Sequence, residues 1–438
     1  MTHRPQRMHQ KFQRGQITII AGALMIGLLG TAGLAIDTGM AYMTRARLNA
    51  AVDAAAVAAA RAVTNGTTQA EQTAAARQAA TDFFNANFPN GYLHGTPSLD
   101  TPSVTFEQGK VTIGVSASAT MPLTLLKVLG FHDVAVAASS TSIRKDLDMV
   151  FVIDSSGSMK DVWSTVRTNA NSFLNQFSPS TDRVGLVHFS SGAEVDVAIR
   201  TSQRGFDRPA MQTKITKLNY GGNTNYAEGL WQARAQLNSI AQLNRSSLRV
   251  VVFFSDGNPN TLAAAYKTAG GSTCTGGITA TGNDVTGYYK IDVQDDTLSG
   301  SCNADTLRGN ELPKNMPQYY NAHNATDTEF LIVGSQPNTV TSASNNKNIA
   351  YTNVYNAATN VPLAMASSLR AQGVYVFTLG LGSNGDLDQN LLKNIANTSD
   401  ATRYNTNQPT GIYCFAATVN DLRPCFAKLA SEILRISK

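Results

Sequence analysis

The sequence lacks clustered histidines and cysteines, a phosphate-binding loop and a strong basic charge, which are features common in enzyme active sites and in nucleic-acid-binding proteins. Histidine occurs six times, always singly, and the four cysteines form no C-x-x-C pair of the kind that holds zinc. No Gly-x-x-x-x-Gly-Lys-Ser/Thr phosphate loop is present. Charged residues make up 15% of the chain, and four basic residues within residues 1–16 account for most of its net charge of +5. A body this close to neutral has no basic stripe for a polyphosphate backbone, which argues against nucleic acid as a partner.

The length predicts several folded units rather than one core. At 438 residues, of which 42% are hydrophobic, the chain is longer than a single core usually becomes. Its 34 glycines and 14 prolines are too few for a collagen-like or low-complexity chain. We therefore expect most of the chain to fold.

The first apolar run is long enough to cross a membrane. Ile17–Ile36 contains no charged residue in twenty positions, and as a helix it would span about 30 Å, the thickness of one hydrocarbon core. Basic residues precede the run and Asp37 follows it, so the positive-inside rule places residues 1–16 in the cytoplasm and the rest of the chain outside it. A cleaved signal peptide is the alternative, although its apolar segment is usually shorter.

Helical spacing continues beyond this run. An apolar seam recurs every three or four residues at Leu48, Val52, Ala55, Ala59 and Val63. Residues 37–84 are therefore predicted to be an extended Ala-rich helical segment, whose seam packs on another helix or on its own domain; a solvated stalk is the alternative. The stretch RGQITIIAGALMIGLLGTAGLAIDTGMAYMTRARLNAAVDAAAVAAARA resembles the N-terminal module of tight-adherence (Tad, TadE/TadG-like) Flp pilus-assembly proteins. The resemblance implies a role among pilus-assembly components.

Residues 85–145 predict a small α+β spacer. Turn residues at Pro89–Gly91 mark its start, and the alternating runs Ser103–Phe106 and Lys110–Ser116 predict a hairpin. Leu123–Leu129 suggests a helical turn and Asp133–Ser140 a further strand. No cluster of chemically active side chains occurs here, so we assign the spacer no chemistry.

From Asp146 to Lys438, buried strands alternate with amphipathic helices, which predicts a doubly wound, mostly parallel α/β sheet. Met149–Ile153 is the first strand, Val250–Phe254 a central one and Val374–Leu381 the last clear one. Such sheets bind ligands at the carboxyl ends of their strands.

Three polar motifs lie at those strand ends. Asp154-Ser-Ser156-Gly-Ser158 follows the first strand, Thr224 precedes a helix in Gly-Gly-Asn-Thr-Asn, and Asp256 ends the central strand. Two carboxylates and three hydroxyls are hard oxygen donors, and these suit Mg²⁺, with Mn²⁺ or Ca²⁺ as alternatives. The alternative is a polar cluster that only caps helices and satisfies loop backbone.

The set of motifs resembles the von Willebrand factor A (vWA) domain, a Rossmann-like fold, and its metal-ion-dependent adhesion site (MIDAS). That resemblance implies that Ser156, Ser158 and Thr224 offer hydroxyls to the ion, and that Asp154 and Asp256 bind it directly or through water. It also implies a protein partner whose acidic side chain completes the metal shell.

The remaining residues argue against catalysis. Mg²⁺ at a sheet edge is also a phosphoryl-transfer arrangement, but the first motif is D-x-S rather than the D-x-D of aspartyl-phosphate enzymes. We therefore expect no enzymatic activity, with a Mg²⁺-dependent phosphohydrolase as the least favoured function.

An insert of about ninety residues, 259–348, leaves the sheet just after Asp256. We expect it to overhang the metal site and to select partners, and we expect deletion of Thr261–Lys347 to leave folding and metal affinity intact. A disordered, solvated loop is the alternative.

All four cysteines follow the membrane segment, and an even count in an exported chain favours disulfides. Local pairing, Cys274 with Cys302 and Cys414 with Cys425, is the simplest of three connectivities.

These features together predict a single-pass protein of the bacterial inner membrane, with a cytoplasmic N-terminus and a periplasmic or surface-facing vWA domain. Its expected function is to bind proteins in Flp/Tad-type pilus assembly or anchoring, and hence in surface adhesion. The alternative is an adhesin that binds host or matrix protein directly.

Overall fold

The computed structural model describes residues 16–63, 65, 68–107, 110–303, 305–344, 346–382 and 387–436. The basic residues that precede the apolar run, and the turn at positions 108 and 109 of the predicted hairpin, lie outside these ranges. The chain divides into two compact units. The first comprises the described residues of 1–63, 72–105 and 112–142, and the second consists chiefly of Ile143–Lys438.

The first unit is built on a helix of 47 residues, α1 (Gln16–Ala62), followed by α2 (Gln69–Asn87). Within the part of the chain that is described, α1 alone is long and apolar enough to cross a membrane, and the side chains of its first half are largely exposed. Its second half is different, because every residue of the predicted seam from Leu48 to Val63 is at most 2% exposed. The seam packs within its own unit, so the solvated-stalk alternative is wrong.

A four-stranded sheet completes the first unit. Its strands are β1 (Thr96–Leu99), β2 (Ser103–Glu107), β3 (Lys110–Pro122) and β4 (Asp133–Lys145), with β3 paired to each of the others. Asp37 of α1 is buried, and its carboxylate accepts backbone N–H bonds from Thr124, Leu125 and Leu126 at 2.8–3.1 Å. Because these N–H groups open the short 3₁₀ turn Leu126–Leu129, the aspartate caps that turn.

The second unit is a doubly wound α/β sheet, as predicted. Its strands are β5 (Leu147–Asp154), β6 (Arg183–Phe189), β7 (Ala193–Val197), β8 (Leu248–Ser255), β12 (Tyr375–Leu381) and β13 (Tyr413–Ala416), in the order β13-β12-β8-β5-β6-β7. All pairings are parallel except β6 with β7. Every residue of β5, β6 and β8 is buried, which is why each of these strands is dominated by apolar residues.

Helices cover both faces of this sheet. They are α3 (Trp163–Leu174), α4 (Arg208–Lys217), α5 (Tyr226–Ser239), α6 (Lys347–Ala371), α7 (Gln389–Ala396) and α8 (Leu422–Ile436). Two apolar clusters result. One contains α5 and α6 and the other α3 and α8.

The insert is folded, so the disordered-loop alternative is wrong. It forms a three-stranded antiparallel sheet of β9 (Thr261–Lys267), β10 (Thr273–Thr281) and β11 (Asp284–Tyr289). Leu262, Ala263 and Ala264 of β9 lie in the same apolar cluster as α5 and α6. Deleting Thr261–Lys347 would therefore open that core, and from this packing we expect such a deletion to impair folding.

A buried polar contact also fixes the insert. Glu228 of α5 is fully buried, and its carboxylate accepts hydrogen bonds from the Tyr320 hydroxyl and, at 2.8 Å, from His323 Nε2. The His323 ring stacks on Trp231 with centroids 3.4 Å apart. Because an unpaired buried carboxylate is costly, these contacts hold the insert against α5.

Candidate metal centre

The sheet register places the predicted motifs side by side. Ile153 of β5 pairs with Phe254 of β8, so Asp154 stands level with Ser255 and one residue from Asp256. The strand order reverses here, because β6 lies on one side of β5 and β8 on the other. Loops diverge at such a switch point and leave a crevice for a ligand.

Four of the five predicted ligands belong to one chain of hydrogen bonds. Asp154 Oδ1 accepts the Ser156 N–H at 2.8 Å, and the hydroxyls of Ser156 and Ser158 lie 3.0 Å apart. The Ser158 hydroxyl donates to Asp256 Oδ1 at 2.6 Å. The two carboxylates, 102 positions apart in sequence, are thus linked through Ser156 and Ser158, by the backbone N–H of the first and the hydroxyls of both.

Thr224, the fifth predicted ligand, lies on a neighbouring loop that hydrogen bonds join to the first. Gly157 N–H donates to Gly222 O at 3.0 Å, and Gly221 N–H donates to Ser155 O at 2.8 Å. A Cβ on Gly222 would come within 2.6 Å of the Asp295 carboxylate, and its φ is +74°, so glycine is required there. The Thr224 hydroxyl makes no hydrogen bond with the residues that are described.

Neither carboxylate forms an ion pair with any residue that the structure describes. Burial, and then the charge of Asp256, raise the pKa of Asp154 to about 7, and burial raises the pKa of Asp256 to about 6. Asp256 Oδ2 is buried and has no hydrogen-bond partner among the described residues. The site therefore has more negative charge than its surroundings compensate.

A third buried carboxylate, at the opposite end of β5, is neutralised by arginines. Asp148 is also fully buried, but its Oδ1 lies 3.2 Å from guanidinium nitrogens of both Arg183 and Arg204. Ser246 donates two further hydrogen bonds to Asp148. Asp154 and Asp256 form no such ion pair within the described part of the chain, so their carboxylates lack the arginine partners that Asp148 has.

The residues present fit Mg²⁺ better than a soft metal. Across the described ranges no group of three or more His, Cys, Asp or Glu side chains is placed to hold a metal ion. The candidate centre instead offers carboxylate and hydroxyl oxygens, which are ligands of Mg²⁺, Mn²⁺ and Ca²⁺. With two carboxylates, the protein supplies fewer charged ligands than all-protein calcium cages do.

Other residues that support the site were not foreseen. Ser255 donates to Asp154 Oδ2 at 2.5 Å, and Gln294 Nε2 donates to Asn219 O at 2.9 Å. The Ser191 hydroxyl donates to Asp295 Oδ1 at 2.7 Å. Gln294 and Asp295 belong to the insert, which thus reaches the loops around the candidate centre. Ser255 stands beside Asp256 in sequence, so it could have been predicted. The insert was expected to lie over the site because it leaves the sheet after Asp256, but no sequence motif singled out Gln294 or Asp295 as the residues that reach these loops.

Both cysteine pairs are bonded in the local arrangement. Cys274 joins Cys302 within the insert, and Cys414 joins Cys425 between β13 and α8. The first bridge ties β10 to the loop after β11, and the second ties the edge strand to the last helix. None of the four cysteines is one of the five predicted metal ligands.

Two family models match separate parts of the chain. The family description "von Willebrand factor type A domain" matches residues 148–295, a range that contains all five predicted ligands. The description "Flp pilus-assembly TadE/G-like" matches residues 15–62, which contain all of α1.

Solved structures resemble the chain at low identity. The vWF domain of the type V pili tip protein Mfa5 from Porphyromonas gingivalis is 16% identical, with 68% of this chain and 98% of that one covered and a TM-score of 0.42. The PilB minor pilin from Streptococcus sanguinis is 14% identical, with 79% and 80% covered and a TM-score of 0.39.

Proximal thread matrix protein 1 from the mussel byssus is 13% identical, with a TM-score of 0.33 and 67% of this chain covered. The chain spans 46% of that protein's length. We transfer no binding property from these structures. The two family matches establish that this chain joins a TadE/G-like pilus-assembly segment to a von Willebrand factor type A domain.

Proposed function

We propose that the A domain binds a divalent cation, Mg²⁺ in the first instance, and captures partner proteins through it. Asp154, Ser156, Ser158, Thr224 and Asp256 would hold the ion. The observation that carries the proposal is a pair of buried carboxylates that form no ion pair among the described residues, and one of them has an oxygen without a hydrogen-bond partner there. A cation would both neutralise this charge and engage that oxygen.

The ion, when bound, supplies a Lewis-acidic position to which an oxygen ligand from another molecule can bind. The chain's own residues prepare that position. Ser255 and the Ser156 N–H fix the Asp154 carboxylate, and Ser158 orients Asp256. Since the protein provides only two negative ligands, an acidic side chain of a partner is the complement we propose.

The cellular role follows from the N-terminal segment. Its TadE/G-like match and its apolar helix fit a membrane-anchored component of pilus assembly. We propose that residues 1–16 lie in the cytoplasm of a bacterial cell and that the A domain lies beyond the inner membrane. Two disulfides suit that oxidising side.

Calorimetric titration of the full chain in detergent with Mg²⁺ tests the metal site. The wild type should bind one ion and Asp154→Ala none. Arg200→Gln, an exposed substitution, is the control and should bind like the wild type. Equal binding by wild type and Asp154→Ala would overturn the assignment of the ligands.

Complementation of a deletion strain tests the role in assembly. Wild type should restore surface pili, whereas Asp154→Ala, present at the same level in the membrane, should not. Intact pili with lost binding to host or matrix protein would instead support the second candidate, a direct adhesin.

We propose no catalytic role. The side chains that hydrogen-bond to the two carboxylates are those of serines, and the first motif is D-x-S rather than the D-x-D of aspartyl-phosphate enzymes. The full chain with Mg²⁺ should not hydrolyse a phosphate monoester. Turnover that Asp154→Ala abolishes would overturn this expectation and support the phosphohydrolase.

A further inference from the structure

A second polar cavity lies in the A-domain unit and is lined by residues other than the proposed metal ligands. It has a volume of about 260 Å³. Its walls come from α6, from the end of α7, from the segment 403–408, and from Gln336 and Pro337 of the insert. Two arginines, Arg370 and Arg403, line it, and no aspartate or glutamate does.

Arg370 is a buried cation without an anion. It is 6% exposed, and no ion pair involves it within the described part of the chain. Its Nε donates to Gln408 Oε1 at 3.0 Å, and its Nη1 donates to Ile395 O at 2.5 Å. Its Nη2 makes no hydrogen bond with any described residue. Burial lowers the pKa of Arg370 to about 10, which still leaves it charged at neutral pH.

The other side-chain groups at the cavity leave donors rather than acceptors unused. Gln336 Oε1 accepts a hydrogen bond from Arg403 Nη2 at 3.1 Å. The side-chain N–H groups of Gln336 and the other N–H groups of the exposed Arg403 guanidinium remain without acceptors among the described residues. Gln408 is used on both sides, because its Nε2 donates to Ser367 at 3.1–3.2 Å. Among the described residues, the unused groups of Arg370, Arg403 and Gln336 are therefore all N–H donors. Such a set suits an oxyanion.

The remaining lining selects an organic ligand. Pro337, Leu363 and Ala364 give the cavity an apolar wall, against which an inorganic ion would gain nothing. The volume lies just below the range of drug-sized pockets, so a ligand of one sugar or one amino-acid residue fits.

We propose that this cavity binds a small carboxylic acid, with its carboxylate between Arg370 and Arg403 and its carbon body against the apolar wall. The group that the two arginines recognise is a carboxylate, and it can belong to an acidic sugar or to an acidic amino-acid residue. Because Gln336 and Pro337 belong to the insert, the insert then forms part of a second binding site in the unit that holds the candidate metal centre.

The test is a ligand-detected NMR titration of the full chain in detergent at fixed ionic strength. One probe is sodium D-glucuronate, compared with D-glucose, and the other is the α-amide of N-acetyl-L-glutamate, compared with the α-amide of N-acetyl-L-glutamine, so that each acid carries one carboxylate and each analogue none. At least one acid should bind ten-fold or more tightly than its neutral analogue, and the acid that binds better identifies the source. If neither acid outbinds its analogue, or if inorganic sulfate binds as tightly, the proposal is overturned.

Variants separate recognition from folding. Arg370 also holds the carbonyl groups that end α7, so its replacement risks the fold. Arg403→Gln removes an exposed charge, and Ala364→Leu fills the cavity from an exposed position on α6. Both should weaken acid binding at least ten-fold, whereas Arg200→Gln, which removes an exposed charge outside the cavity lining, should not. Wild-type affinity in Arg403→Gln and Ala364→Leu would leave Arg370 a purely structural residue and overturn the proposal.

Discussion

Replacing Asp256 with asparagine should stabilise the cation-free protein while abolishing its response to Mg²⁺. One Asp256 oxygen accepts the Ser158 hydroxyl and the other has no partner among the described residues, so an amide can keep the first contact and place its NH₂ at the second. The substitution removes a negative charge that lies beside Asp154 with no counter-charge.

The size of the effect follows from the pKa. In the folded chain the pKa of Asp256 rises from its ordinary 3.8 to about 6. The native carboxyl therefore holds its proton between about pH 4 and pH 6 while the unfolded one has lost it, and stability falls as pH rises through that window. Above about pH 6 the raised pKa of Asp256 lowers the free energy of unfolding by its full amount, on the order of 2–3 kcal/mol. For a unit of this size that corresponds to about 4–6 °C in melting temperature.

The assay is thermal unfolding of the full chain in detergent at pH 5 and pH 8, with EDTA or with Mg²⁺. In EDTA at pH 8, Asp256→Asn should melt above the wild type, and at pH 5 the gap should shrink. Mg²⁺ should raise the melting temperature of the wild type only, by an amount that grows with its concentration.

Asp148→Asn is the matched control, because it changes the same residue type at the other end of β5. It would leave Arg183 and Arg204 without their shared carboxylate, so it should lower stability in every buffer. Our reasoning would be refuted if Asp256→Asn behaved like Asp148→Asn in EDTA at pH 8.

Three further changes test the insert and the N-terminal unit. Cys302→Ser opens the bridge to Cys274 over a separation of 28 residues and should lower the free energy of unfolding by about 3–4 kcal/mol. Reductant should then destabilise this variant less than it destabilises the wild type, because only the Cys414–Cys425 bridge remains to be broken. Ala59→Leu overpacks the fully buried seam of α1 and should cost about 1–3 kcal/mol in chemical denaturation; a neutral result would mean that the seam is loosely packed. Glu228→Ala leaves the Tyr320 hydroxyl buried without its acceptor and should cost about 2 kcal/mol, and adding Tyr320→Phe should recover part of that loss.

The parallel strands were predictable because they are buried on both faces. β5 and β8 are nearly continuous apolar runs, and each ends in the polar residues of a candidate ligand loop. Parallel strands align their carboxyl ends, so Asp154 and Asp256 could be expected to meet from sequence alone. The structure brings Asp154, Ser156, Ser158 and Asp256 together, and whether they bind a metal stays a prediction.

The insert was harder to predict because β9 and β10 contain few of the large apolar residues that usually identify a buried strand. β9 reads TLAAAYK and β10 reads TCTGGITAT, and three of the seven side chains that they place in the apolar cluster with α6 are alanines. Small residues allow close packing but give little apolar periodicity. α4 was missed for a related reason, since only Met211 and Ile215 are buried in it. The edge strand β13 and the N-terminal strand β1 have four residues each, too short for a pattern.

The unbroken course of α1 has a mechanical consequence. At 1.5 Å per residue, its 47 residues extend for about 70 Å, and the part after Ile36 for about 39 Å. A bilayer that is thinner than the apolar run makes such a helix tilt. A tilt of about 10° would then swing the far end of α1 sideways by about 7 Å, and the burial of its seam within the first unit means that this unit must turn with it. The thickness of the membrane would in this way set the angle between the first unit and the membrane surface.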